Sequence, residues 1–91
     1  MYEITEYSKL QAKKLGVEIK HSSNKKKKLD VFKNNKKVAS IGAKGYKDFP
    51  TYTKEKGLQY AKERRKLYKE RHEKDRHKKG SAGFYSDKIL W

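Results

Sequence analysis

The chain has 91 residues, 26 of them Lys or Arg against 11 Asp or Glu, for a formal charge of +15 and a pI near 10.0. At this length one domain, residues 1–91, is expected, with a thin core, because so short a chain buries only about 60–65% of its unfolded surface. The absence of cysteine excludes disulfides and thiolate metal sites and fits an intracellular or intravirion setting. No apolar run approaches the roughly 18 residues of a membrane span, and the N-terminus lacks a signal-peptide core.

Charged residues make up 41% of the chain and hydrophobic ones 33%, a balance that on its own permits disorder. The aromatic share of 12% argues for a fold, since disordered chains are poor in aromatics. Self-repulsion at this charge is tolerated where a polyanion or an acidic surface neutralises it. DNA or another nucleic acid is the first candidate partner, followed by an acidic protein surface and an anionic membrane face.

In chain order, residues 5–15 read as a short helix, with Thr5 or Ser8 as a hydroxyl N-cap and Gly16 as a C-terminal stop. From Val17 the pattern alternates, which predicts a strand through His21. Residues 28–33 and 36–41 read as two further strands. Asn34-Asn35 between them suits a two-residue hairpin, because asparagine tolerates the positive φ of a type I′ turn. That turn predicts Val31 opposite Val38, Asp30 opposite Ala39 and Leu29 opposite Ser40, with Leu29, Val31 and Val38 on a core face. Pro50 disfavours helix at Phe49, so the next helix is expected from about residue 53 to residue 76, capped by Thr51 or Thr53. Gly80 or Lys79 ends it, and Ser81 caps a short helix through residue 91. The fold class is α+β: a short helix, a three-stranded antiparallel meander, a long basic helix and a short aromatic helix.

Four features carry chemistry. Lys25, Lys26, Lys27 and Lys28 form a positive knob at a hairpin tip, suited either to gripping phosphates without sequence preference or to blunting a sheet edge. On the long helix, at about 100° per residue, Arg64, Arg65 and Arg71 fall in the same half as Tyr60, Leu67 and Tyr68. Their stems either snorkel across apolar surface, or their guanidiniums meet a phosphate, a partner carboxylate, or an internal one such as Asp48 or Asp87. The Gly42-Ala43-Lys44-Gly45-Tyr46 loop, with Lys44, suits a structural turn or a weak phosphate cradle, and it lacks the Walker spacing. Phe84, Tyr85, Ile89, Leu90 and Trp91 crowd the last eight positions, whereas ragged termini are polar and small. With Tyr68 they serve as a core anchor or a partner-docking surface. His21, His72 and His77 are not spaced as a metal set, and no nucleophile–base pair or carboxylate cluster is evident. No catalytic residue, cofactor or small-molecule substrate is expected.

Three segments carry a resemblance: Ile41-Gly42-Ala43-Lys44-Gly45-Tyr46-Lys47-Asp48-Phe49, then Arg64-Arg65-Lys66-Leu67-Tyr68-Lys69-Glu70-Arg71-His72, then Gly80-Ser81-Ala82-Gly83-Phe84-Tyr85 through Leu90-Trp91. Over roughly residues 29 to 91 the chain resembles a functionally uncharacterised family of small basic proteins encoded by giant and other large nucleocytoplasmic DNA viruses. It departs from the family at Pro50-Thr51-Tyr52, where a histidine-containing version is usual. The resemblance implies a viral setting: a virion, or the host cytoplasm or nucleus during infection. Two roles fit it. One is a non-enzymatic minor capsid or cement component docking on acidic capsid subunits through its aromatic end. The other is a DNA-binding protein that condenses or packages the genome through Lys25–Lys28, Arg64, Arg65 and Arg71.

Overall fold

The computed structural model of the protein describes residues 2–91. Helix α1 spans Glu6–Leu15, strands β1, β2 and β3 span Glu18–His21, Lys27–Lys33 and Lys36–Ala43, and helices α2, α3 and α4 span Phe49–Lys56, Leu58–Arg71 and Ala82–Ile89. The three strands form an antiparallel sheet in the order β1-β2-β3. The architecture is the α+β arrangement expected from the sequence, with the expected long helix divided in two.

Local chemistry explains most boundaries. The Thr5 hydroxyl caps α1 by accepting from the Ser8 N–H at 3.2 Å. Gly16 closes the helix at φ 73°, and the Val17 N–H then reaches back to the Ala12 carbonyl at 3.0 Å. Asn34 and Asn35 take φ values of 53° and 65°, as a type I′ turn requires. Ser81 caps α4 by accepting from the Phe84 N–H at 3.1 Å.

The expected hairpin register holds only at the turn. Lys33 pairs with Lys36 and Phe32 with Lys37, but a bulge then inserts Val38, so Val31 faces Ala39, Asp30 faces Ser40 and Leu29 faces Ile41. Val38 therefore leaves the core and is 39% exposed, while Leu29, Val31 and Ile41 are fully buried together. The same shift brings the Ser40 hydroxyl to the buried Asp30 carboxylate, where it donates at 2.7 Å. The bulge thus aligns an apolar set on one face and a polar pair on the other.

The second difference lies at residues 48–57. Asp48, not a threonine, caps α2: its Oδ1 accepts from the Thr51 N–H at 3.1 Å. Pro50 is tolerated because a proline in the first turn gives up an N–H with no helical partner. The Phe49 N–H is satisfied by the Leu90 carbonyl at 3.0 Å. At Gly57 the backbone adopts φ 92°, ψ 162°, a conformation open essentially to glycine, and α2 and α3 become separate helices. Helix α3 stops at Arg71. Residues 72–80 form turns held by Glu73 with Arg76 and His77, and by the Asp75 N–H on the His72 carbonyl.

The core gathers Leu29, Val31 and Ile41 from the sheet with Ala12, Val17, Phe49, Ala61, Tyr68, Tyr85, Ile89, Leu90 and Trp91. The aromatic tail is therefore a core anchor. Its end is capped residue by residue. Gln11 donates to the Lys88 carbonyl at 2.9 Å, Ser8 to Ile89 at 2.9 Å, and Tyr7 to Trp91 at 3.2 Å, while the Phe49 N–H takes Leu90. A helix end leaves such carbonyls without intrahelical partners; here α1 and α2 supply them. From α3, Tyr68 donates to Ser86 at 3.0 Å and Lys69 to the buried Asp87 at 2.7 Å. Tyr60 and Leu67, which share a helix half with Tyr68, remain exposed at 42% and 47%.

Candidate functional site

The β1–β2 turn and the glycine loop are neighbours. The Lys44 N–H donates to the Lys26 carbonyl at 3.0 Å, and Lys27 pairs with Ala43 across the sheet. The fold thereby joins Lys25, Lys26 and Lys27 to Lys44, which sequence alone kept apart. Lys25, Lys26 and Lys44 are exposed and Lys27 half-buried.

Lys28 is a different residue from its three predecessors. It is buried, its amine pairs with Asp48 at 3.2 Å and donates to the Tyr46 carbonyl, and it lies 4.9 Å from the centre of the Tyr2 ring. Asp48 in turn accepts from the Tyr2 hydroxyl at 2.7 Å. Burial, with that acidic partner, pushes the Tyr2 phenol well above its ordinary range, so it remains a donor. Lys28 is thus withdrawn from the expected phosphate-contacting set, because its charge is engaged inside the protein.

The arginines also divide. Arg65 lays its guanidinium 4.1 Å from the centre of the Phe49 ring, the snorkelling arrangement. Arg64 and Arg71 line a cleft of about 530 Å³ between the sheet edge and the helices. Arg64 is half-buried, with its guanidinium 5.5 Å from the Tyr52 ring and its Nε enclosed without a hydrogen-bond acceptor. Neither meets Asp48 or Asp87. Those carboxylates hold Lys28, and Lys69 with Arg76, respectively.

Four strong cations, Lys27, Lys47, Arg64 and Arg71, line the cleft against one carboxylate, Asp75. Lys47 is shared with Glu55 at the rim, and the hydrogen bond and charge of that carboxylate hold its amine above the ordinary lysine range. Rings line the same space. Trp91 stacks on Tyr68 with centroids 4.6 Å apart and planes 10° apart, and Tyr68 stacks on His72 at 4.4 Å and 29°. Burial raises the Tyr68 phenol, which stays protonated and hydrogen-bonded to Ser86. Tyr52 and the 75%-exposed Tyr46 complete the lining.

Gly42, at the cleft floor, has φ 76°, and a Cβ there would stand 2.8 Å from Leu90 Cδ1 and 3.1 Å from Lys28 Cδ. The glycine is needed for close packing, so the loop reads as a structural turn that carries Lys44, Tyr46 and Lys47 past the cleft. Of the residues expected at a binding surface, Lys25, Lys26, Lys27, Lys44, Arg64 and Arg71 lie on or beside one face. Tyr68 and Trp91 are buried core residues that also form the cleft wall, whereas Tyr85 and Leu90 are buried and Phe84 is half-buried away from it. Sequence reasoning missed Lys47, Tyr46, Tyr52 and His72. The signal for the first two was an aromatic and a lysine in a glycine-bearing loop; Tyr52 and His72 gave none until the chain was folded.

Among the described residues, no group of three His, Cys, Asp or Glu side chains is placed to hold a metal ion, and no helix is long and apolar enough to cross a membrane. No family model, curated protein or solved structure matches the chain.

Proposed function

We propose that this chain is a non-enzymatic nucleic-acid-binding protein that holds phosphates with Lys25, Lys26, Lys27 and Lys44 beside the cleft and Arg64 and Arg71 within it. The observation that carries the reading is the convergence of cations from three separated segments around one cleft that has a single carboxylate. Arginine is suited to this role because its planar fork matches phosphate oxygens in pairs. In the viral setting that the resemblance implies, the role would be to condense or package the genome, within the virion and in the infected host cell.

The capsid or cement role loses its main support, since the aromatic tail that was to dock on a neighbour is packed inside. It retains one observation, the exposed Leu58, Tyr60 and Leu67 on α3.

The test is binding to a labelled 20-base-pair duplex and a single strand of equal length between about 50 and 300 mM salt. About five neutralised phosphates predict a log–log slope near −4.5 for duplex and −3.5 for single strand. Arg64→Gln with Arg71→Gln should lower affinity and flatten the slope by about one to two. Weak binding that vanishes by about 150 mM, unchanged in that double variant, would overturn the reading and leave the capsid contact in its place.

A further inference from the structure

We infer that the cleft accepts an unpaired nucleobase, so that a single strand is preferred over duplex; the inference rests on the phosphate-binding reading above. The stack Trp91–Tyr68–His72 runs from the core to the cleft, and it ends in a histidine whose side chain is 40% exposed. Its ring orientation is held from both sides, by Tyr68 and by a 3.3 Å contact of Nδ1 with Asp75. A preordered ring at the end of a stack is a platform for one more flat ring, and such stacking is indifferent to base identity because every base has a π-face.

Two further features fit a base rather than a bare phosphate. Tyr46, on the glycine-bearing loop, stands 75% exposed and lines the cleft as a second ring. The volume, about 530 Å³, admits a nucleotide, whereas a duplex presents stacked, paired bases that cannot enter without being unpaired at a cost. The cluster of Lys25, Lys26 and Lys44 beside the cleft would then hold the strand next to the inserted base, as in other single-strand channels.

The experiment compares four probes on the intact protein at one salt concentration: a dT 12-mer, its abasic counterpart, a 12-base-pair duplex, and a free mononucleotide. Trp91 is the one tryptophan, and its emission reports stacking beside Tyr68. The dT strand should bind about tenfold or more tighter than the abasic strand and quench Trp91, and the duplex should bind more weakly. Tyr46→Ala and, separately, His72→Ala should each lower dT affinity roughly five- to tenfold, with the abasic affinity unchanged. The Tyr46 side chain is 75% exposed, so its variant keeps the test valid if loss of His72 disturbs Tyr68. Equal binding of dT, abasic strand and duplex, unaltered in both variants, would overturn the inference while leaving phosphate binding intact. A free mononucleotide binding as tightly as the strand would overturn the strand assignment. Failure of all four probes would remove the phosphate reading as well.

Discussion

The hydroxyl of Ser8 donates to the carbonyl of Ile89 across 2.9 Å, and both residues are fully buried. This bond joins the two ends of the chain and lies between the Gln11–Lys88 and Tyr7–Trp91 bonds. It also explains a serine in the middle of a helix core face, where an apolar residue would leave a buried carbonyl unpaired.

Removal of residues 89–91 is therefore expected to unfold the protein. Trp91→Ala alone should cost about 3–5 kcal/mol, as for other buried aromatic truncations. That is a large part of the roughly 5–15 kcal/mol that holds a domain together. Ser8→Ala should cost about 1–3 kcal/mol, because the Ile89 carbonyl would lose its partner. Urea unfolding followed by far-UV circular dichroism measures all three. A truncated chain that still unfolds cooperatively near the wild-type midpoint would show the tail to be dispensable, and would return it to the role of a docking segment.

Lys28 and Asp48 supply a second expectation. Asp48 caps α2, accepts from Tyr2 and pairs with Lys28, so one carboxylate orders three segments. Lys28→Met removes one charge of a buried pair and leaves Asp48 enclosed without its cation, a loss of about 3–5 kcal/mol. Lys25→Met, exposed at the tip, should change stability by less than about 0.5 kcal/mol. Conversely, Lys25→Met should weaken nucleic-acid binding while Lys28→Met, assayed where it remains folded, should leave the salt slope unchanged. Equal stability of the two variants would mean that the Lys28–Asp48 pair contributes nothing.

That contrast shows where sequence reading reached and where it stopped. Caps and turns are local, so Thr5, Gly16, Asn34-Asn35 and Ser81 could be read directly: each supplies a hydroxyl or a positive φ to its own neighbours. The helix expected over residues 53–76 runs too far because Gly57, which inside a helix costs only about 1 kcal/mol, here takes a conformation that breaks the helix outright. Lys28 could not be told from Lys25 because its partner lies 20 residues away. Val38 was placed in the core because a two-residue turn sets register only until a bulge intervenes, and the bulge follows from the demands of Leu29, Ile41 and Asp30 together. The cleft was invisible for the same reason. Its cations lie on three segments, and its aromatic wall was legible only as an apolar tail.

Asp30 yields a pH expectation. Burial favours its neutral form, but donors from Ser22 at 2.6 Å and Ser40 at 2.7 Å, the Ser23 N–H at 3.1 Å, and the charge of Lys37 outweigh that. The carboxyl is held down from the usual 3.8 to about 2. A carboxyl whose folded value lies below its unfolded one stabilises the fold fully above the unfolded value and loses that contribution as pH falls towards the folded one. The window is therefore pH 4 to 2. Wild type should exceed Asp30→Asn in stability by roughly 2 kcal/mol at pH 6, at about 1.4 kcal/mol per unit of displacement. The gap should stay flat down to about pH 4 and narrow below it. Denaturant unfolding of both proteins at several pH values between 2 and 6 measures the gap directly. A gap that instead widens as pH falls from 6 towards 4 would mean that the Asp30 carboxyl titrates above its ordinary value, with burial prevailing over its hydrogen bonds.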